Sequence, residues 1–335
     1  MPELLGQMID RLITVELKNR GMPHGFLVDL YEAALSEGGG RPLTTRAAEL
    51  LHDKVGKGDT VFILTGAGYP PQMPTGESDG PPGAAVLARM LYWGLGAVPV
   101  YLCEKKHEGP IKAASEAADT MIHSFENARD RGFGAALLTG PDTQEEVGDW
   151  AKAVFDRCAP RAIVCIERLG PAADGKVYNA TGIVKGPETE IVDLSPLLDE
   201  AAARGVASIG IGDHGNEIGF GRIPDAVKAL MPAGNINACT VATDVLLPCM
   251  MSNWGAAGIA AVLSYIIDRP DLMHTSEQDG RIIRACLDAG GLEAHMCTKR
   301  FIVDGAEGES SMAIAQLLRN MVQLSKAVRS SGVAH

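Results

Sequence analysis

Val206-Ala207-Ser208-Ile209-Gly210-Ile211-Gly212-Asp213-His214-Gly215-Asn216-Glu217-Ile218-Gly219-Phe220-Gly221 carries a short apolar run straight into a glycine-rich turn. The run reads as a buried strand of parallel-sheet type. The turn holds two carboxylates, an imidazole and an amide between its glycines, which leave the backbone free to approach a ligand. Asp213 and Glu217 are spaced so that a helical turn would set them on one face. Two like charges held together cost energy unless a cation or a shared proton compensates. The stretch therefore reads as a site at the end of a strand; the plainer reading is a strand-to-helix turn with Asp213 as N-cap.

Outward from this stretch the pattern recurs. Thr60-Val61-Phe62-Ile63-Leu64 is a second apolar strand and runs into Thr65-Gly66-Ala67-Gly68. A long loop, Gln72 to Gly80, then carries Glu77, Ser78 and Asp79 before Pro81-Pro82-Gly83 opens a helix. Val98 to Leu102 is the next strand and ends at Glu104, which completes a βαβ unit. Thr120 to His123, Ala135 to Leu138, Ala162 to Ile166 (ending at Glu167-Arg168) and Ala238 to Ala242 (leading to Asp244) read as further strands. Helical spacing marks the opening segment from Leu4 to Ile13, and Thr44 or Thr45 caps a helix through Val55. The last third adds helices at Asn253–Ile267, Arg281–Ala289 and Met312–Val328. The expected fold is α/β, a mostly parallel sheet flanked by helices, with the active site at the carboxyl ends of its strands. One domain over residues 1–335, in a single body or two intimate lobes, fits the length.

The 335 residues carry a formal charge of −12, which argues against a nucleic-acid partner because phosphate binding needs clustered Lys and Arg. Seven cysteines without a Cys-x-x-Cys pair favour buried free thiols in a reducing compartment. The opening residues do not resemble a signal peptide, and the apolar region Ala256–Ile267 is too short to span a bilayer. A cytoplasmic protein with no membrane partner is expected, and the apolar terminal helices suggest a homo-oligomer.

Four acidic groups fall near expected strand ends: Glu77 with Asp79, Glu167, Asp213 with Glu217, and Asp244. Converging carboxylates suit a hard divalent cation such as Mg²⁺ or Mn²⁺, and equally acid–base chemistry on a small polar substrate. No nucleotide is expected: Gly66 and Gly68 lack the third glycine and the immediate helix of a dinucleotide fingerprint, and no Gly-Lys-Ser/Thr occurs. Ser78 lacks a nucleophile elbow. Trp254 is either core or pocket lining. Arg168 could clamp a substrate carboxylate bidentately or serve a structural ion pair.

Several of these stretches together resemble the D-glutamate cyclase family. They are Thr65-Gly66, Pro74-Thr75-Gly76-Glu77-Ser78-Asp79-Gly80-Pro81-Pro82-Gly83-Ala84, Ile166-Glu167-Arg168, Ala172-Ala173-Asp174-Gly175, Tyr178-Asn179, Gly212 to Gly219, and Ser252-Asn253-Trp254-Gly255. The resemblance implies a lyase that cyclises D-glutamate to 5-oxo-D-proline with loss of water, acting on an acidic amino acid. Proximity supplies much of the rate of such an intramolecular attack, but the amine needs a base and the carboxylate needs polarising. On this resemblance Asp79, Asp213 and Glu217 form the metal or acid–base core, and Glu77, Glu167, Arg168, Asn216, Asn253 and Gly66 bind substrate, Arg168 as clamp for the α-carboxylate. His214 stands where glycine is expected. A positive φ there would cost on the order of 1 kcal/mol, and its imidazole is a candidate base. Pro171 stands where a basic residue is expected, which weakens an anion clamp in that loop. The alternatives are a metal-dependent hydrolase or phosphatase on a small anionic substrate, and a non-catalytic small-molecule or metal-binding protein.

Overall fold

The structure, a computed structural model, describes residues 2–17, 23–185 and 191–331. Its centre is a parallel sheet made of β1 (Thr60–Thr65), β2 (Val98–Cys103), β3 (Ile122–His123), β4 (Ala135–Thr139), β5 (Ala162–Ile166), β8 (Ala207–Gly212) and β9 (Val245–Pro248), with β6 (Val177–Tyr178) and β7 (Val184–Lys185) lying outside it as an antiparallel ribbon. The seven strands lie in the order β3-β4-β2-β1-β5-β8-β9. The chain builds outward from β1 through β2, then returns to place β5 on β1's other side. That reversal makes the β1/β5 boundary a switch point, where the loops leaving two neighbouring strands diverge and open a crevice. A second ribbon, β10 (Ile302–Val303) and β11 (Ala306–Glu307), follows late in the chain.

Every residue of β1, β2, β5 and β8 is buried, which explains why these strands read as continuous apolar runs without alternation. One face is covered by α1 (Pro2–Ile13), α2 (Phe26–Glu37), α3 (Leu43–Lys54), α4 (Pro81–Met90) and α5 (Glu108–Ala117). The other is covered by α6 (Phe125–Arg131), α7 (Val147–Cys158) and α8 (Pro196–Arg204), around Phe62, Phe155 and Leu197. After the short α9 (Pro224–Leu230) and α10 (Gly234–Asn237), the chain returns to the first face with α11 (Ser252–Ile266), α12 (Ser276–Asp288) and α13 (Gly308–Ser331). α11 is buried along nearly its whole length, so its Ala- and Gly-rich sequence serves close helix packing. Trp254 belongs to this packing: it is buried and its indole N–H donates to Ser311 Oγ at 2.9 Å.

Two sequence expectations fail for identifiable reasons. The segment 238–242 is not a sheet strand; the strand is Val245–Pro248. Its amides and carbonyls are taken by loops instead, Cys239 N–H by the Gly215 carbonyl and Val241 O by the amides of Gly219 and Gly221. Asp244 consequently precedes its strand, where it accepts from Ser208 N and Oγ at the amino end of β8, far along that strand from the Asp213 turn. α3 is capped by neither Thr44 nor Thr45. Asp10 of α1 accepts from the amides of Leu43 and Thr44, from the Thr44 hydroxyl and from Tyr31 Oη, so a neighbouring helix supplies the cap. Among the described residues all seven cysteines are free thiols, six of them buried, and no helix is long and apolar enough to cross a membrane.

Candidate active site

A cavity of about 270 Å³ opens at the carboxyl ends of β1, β5 and β8, at the switch point. This lies just below the usual range for small-ligand pockets, about 300–1,000 Å³. Its acidic and basic lining comes from Glu77 after β1, Glu167 after β5, His214 and Glu217 after β8, and His295 with Asp304 from the late segment.

Glu167 is the first residue past β5 and its backbone is left-handed, φ 49°. Its amide still donates to Ile211 O, so the sheet register is kept while the side chain turns out of the strand. One oxygen each of Asp79, Glu167 and Asp213 lie within 4.8 Å of one another, and all three residues are buried. Asp79 is held by the start of α11: its Oδ2 accepts from Ser252 N at 2.8 Å and its Oδ1 from Asn253 N at 2.8 Å. A helix N-terminus stabilises an anion there. The Ser252 hydroxyl donates to Glu167 Oε2 at 2.6 Å. Gly80 lets the loop close on the cluster. Its φ is 99°, and a Cβ there would meet Thr65 Oγ1 at 2.7 Å and Glu167 Cβ at 3.0 Å.

No helix follows β8. Glu217 folds back instead, and its carboxylate accepts from the amides of Asp213 (3.3 Å), His214 (3.1 Å) and Gly215 (2.8 Å). This internal anion, not helical spacing, brings Glu217 to Asp213. Gly215 takes the left-handed backbone, φ 92°, whereas His214 is not among the positive-φ residues, so the strain expected at His214 falls on the glycine beside it. His214 Nδ1 bonds to Asp213 Oδ1, and the ring stacks on Phe26 with centroids 6.1 Å apart. The Asp213 carboxylate orients the ring through Nδ1.

Burial pushes Glu167 well above the usual carboxylate range, and the neighbouring charges of Asp213, Glu217, Asp79 and Glu77 push it the same way. Burial, then the Asp213 charge, raises Glu217 to about 7 against the opposing effect of His214. Carboxylates crowded in this way favour whatever neutralises them, a proton or a divalent cation.

A family model described as D-glutamate cyclase-like, C-terminal, matches residues 9–319. The chain belongs to this family. Human "D-glutamate cyclase, mitochondrial" is 29% identical over 264 residues, which are 77% of this chain and 38% of that protein. The chain thus matches well under half the length of that relative. Among solved structures, a 3-oxoacyl (acyl-carrier-protein) reductase from Agrobacterium tumefaciens C58 with NADP bound shares 15% identity, over 72% of this chain and 70% of that one. Its TM-score of 0.27 is too low to bear on fold or function.

Of the residues that the family resemblance nominated, Glu77, Glu167, His214, Asn216 and Glu217 line the cavity. Three do not. Arg168 turns away and is consumed by Glu104 (2.6 and 2.8 Å) and by the carbonyls of Gly66 and Val192, so it is a structural ion pair and not a clamp on the cavity wall. Asn253 Oδ1 accepts from the amides of Gly80 and Gly83 while its Nδ2 donates to Ser78 O, which makes it a buckle for the acidic loop. Gly66 packs against the His107 ring. The expected trio Asp79, Asp213 and Glu217 also regroups: Glu167 takes the third place beside Asp79 and Asp213, while Glu217 groups with Asp213 and His214. Sequence reasoning missed His295 and Asp304 as lining residues, and Ser252 as the donor to Glu167. Asp304-Gly305 between Ile302-Val303 and Ala306-Glu307 is a hairpin-turn signal. Nothing local says that this turn folds onto the cavity.

Proposed function

We propose that the chain converts D-glutamate to 5-oxo-D-proline and water. The observation that carries this reading is His214, bonded to Asp213, on the wall of a small cavity that Glu167 of the buried carboxylate cluster also lines. Family membership and the name of the human relative supply the substrate.

Asp213 orients the imidazole through Nδ1, and His214 is the base that takes a proton from the substrate ammonium. The freed amine attacks the side-chain carboxyl carbon of the same molecule, a C–N bond forms, and one C–O bond of that carboxyl breaks. The two hydrogens that nitrogen loses leave with the departing oxygen as water, so the lactam keeps one N–H. A cavity of about 270 Å³ favours a folded over an extended substrate, and proximity then lowers the barrier. Glu217 keeps the turn after β8 in shape by holding its amides.

Asp79, Glu167 and Asp213 fit a hard divalent cation: three buried oxygen donors of like charge within reach of one point. Mg²⁺ or Mn²⁺ held there would polarise a substrate carboxyl oxygen. Incubation of the purified protein with D- or L-glutamate, with and without Mn²⁺, followed by chromatography of the products, tests the reading. 5-Oxoproline formed from the D isomer is the expected result. Unchanged D-glutamate in every arm would falsify it, and metal-stimulated release of phosphate from a phosphomonoester would point to a hydrolase instead.

A further inference from the structure

Glu104 follows β2, lies outside the cavity lining and is only 4% exposed. It binds Arg168 bidentately, Nη1 to Oε2 at 2.6 Å and Nη2 to Oε1 at 2.8 Å. The same guanidinium donates to Gly66 O at 2.8 Å, just past β1, and to Val192 O at 2.7 Å. One buried side chain therefore pins residue 168 to three separate segments. The residue before it is Glu167, held in the left-handed region that only glycine adopts without cost. A strained conformation of this kind persists only where its surroundings over-determine it. Arg168 and Glu167 point to different destinations from adjacent positions, the first to Glu104 and the second to Ser252, Asp79 and Asp213. Fixing one fixes the exit angle of the other.

We propose that Glu104 is a positioning residue for the active site: by locking Arg168, it holds Glu167 in the left-handed backbone that delivers its carboxylate to Asp79 and Asp213. The inference rests on the reading that this cluster is the reactive centre. Glu104 does its work from outside the cavity, and its partner is an arginine because a planar fork meets a carboxylate at two points and still reaches two carbonyls.

Glu104→Gln is the direct variant, but it strands a buried guanidinium charge and can unfold the chain. The deciding variant is therefore E104M/R168M, which replaces the pair by apolar side chains that fill the space without a charge. Thermal unfolding establishes that it folds. Its crystal structure is expected to show Glu167 out of the left-handed region, with its carboxylate withdrawn from Asp79 and Asp213. Mn²⁺ affinity, measured by calorimetry on the full chain, is expected to fall about tenfold or more, the usual effect of losing an outer-shell partner. D-Glutamate turnover should fall in kcat more than in KM. A folded double variant whose Glu167 stays in place, or whose Mn²⁺ affinity and kcat match the wild type, overturns the inference. A wild-type chain that leaves D-glutamate unchanged overturns the cyclisation reading alone, and the position of Glu167 in the variant then decides the positioning role.

Discussion

Ser252 reaches Glu167 across 2.6 Å with its hydroxyl, while its backbone amide, 2.8 Å from Asp79, holds a second member of the same carboxylate cluster. The first residue of α11 thus binds arms that leave two different strands. Ser252→Ala removes the hydroxyl bond and leaves the amide bond. A hydrogen bond contributes about 0.5–1.5 kcal/mol, so 5-oxoproline formation should slow by roughly twofold to tenfold. The melting temperature should move little, and an unchanged rate would remove Glu167 from the reaction.

His214→Ala should lower kcat by about 10²–10⁴, the usual contribution of a positioned general base, with little change in KM. His214→Gly tests the same role without a new side chain. If its pH–rate profile superimposes on that of the wild type, the imidazole is not the base.

Asp10 does not line the cavity, and its loss should show in stability alone. It satisfies two backbone amides of α3 and accepts from two hydroxyls in a buried setting. Asp10→Ala strands those donors, at a cost of about 2–4 kcal/mol. Urea titration should show a lower midpoint, while the specific activity of the folded fraction stays near wild type.

The Glu104–Arg168 pair makes acid stability measurable at one site. Burial alone would raise Glu104, but the Arg168 charge, helped by His107, overrides it and holds the carboxyl down to about 2, below its ordinary 4.5. A group depressed on folding contributes stability that is complete above its unfolded value and disappears as pH falls through its folded one. Unfolding free energy should therefore decline between about pH 4.5 and pH 2, and E104M/R168M should show a shallower decline over that window. Parallel curves for the two proteins would contradict the assignment.

Gly80→Ala should be damaging out of proportion to its size. The backbone is left-handed and the added methyl would press on Thr65 Oγ1 and Glu167 Cβ. Asp79 would be pushed from α11, so activity should be lost even in variants that still fold. Full activity would mean that Asp79 need not sit where the loop now holds it.

The sheet was readable because its strands are buried on both faces and end abruptly in polar turns. Glu77, Glu167 and His214 could be nominated for the same reason, since a strand end in such a fold is a ligand position. Side-chain direction was not readable. Glu167 and Arg168 are equally polar neighbours, and only their partners, Ser252 for the first and Glu104 with the Gly66 and Val192 carbonyls for the second, tell them apart. The 238–242 segment has a strand's composition, but its hydrogen bonds were claimed by the turn after β8, a tertiary choice that periodicity does not record. Asp304 and His295 arrive from late in the chain and reveal their place only when the fold is closed.

Glu217 gives the turn after β8 an unusual chemistry. Runs of glycine-flanked N–H groups at this position of an α/β sheet commonly cradle the phosphates of a nucleotide. Here the cradle is already filled by the protein's own carboxylate, so a phosphate could enter only by evicting it. The turn is plugged by its own carboxylate, and what it presents to the cavity is the neighbouring imidazole.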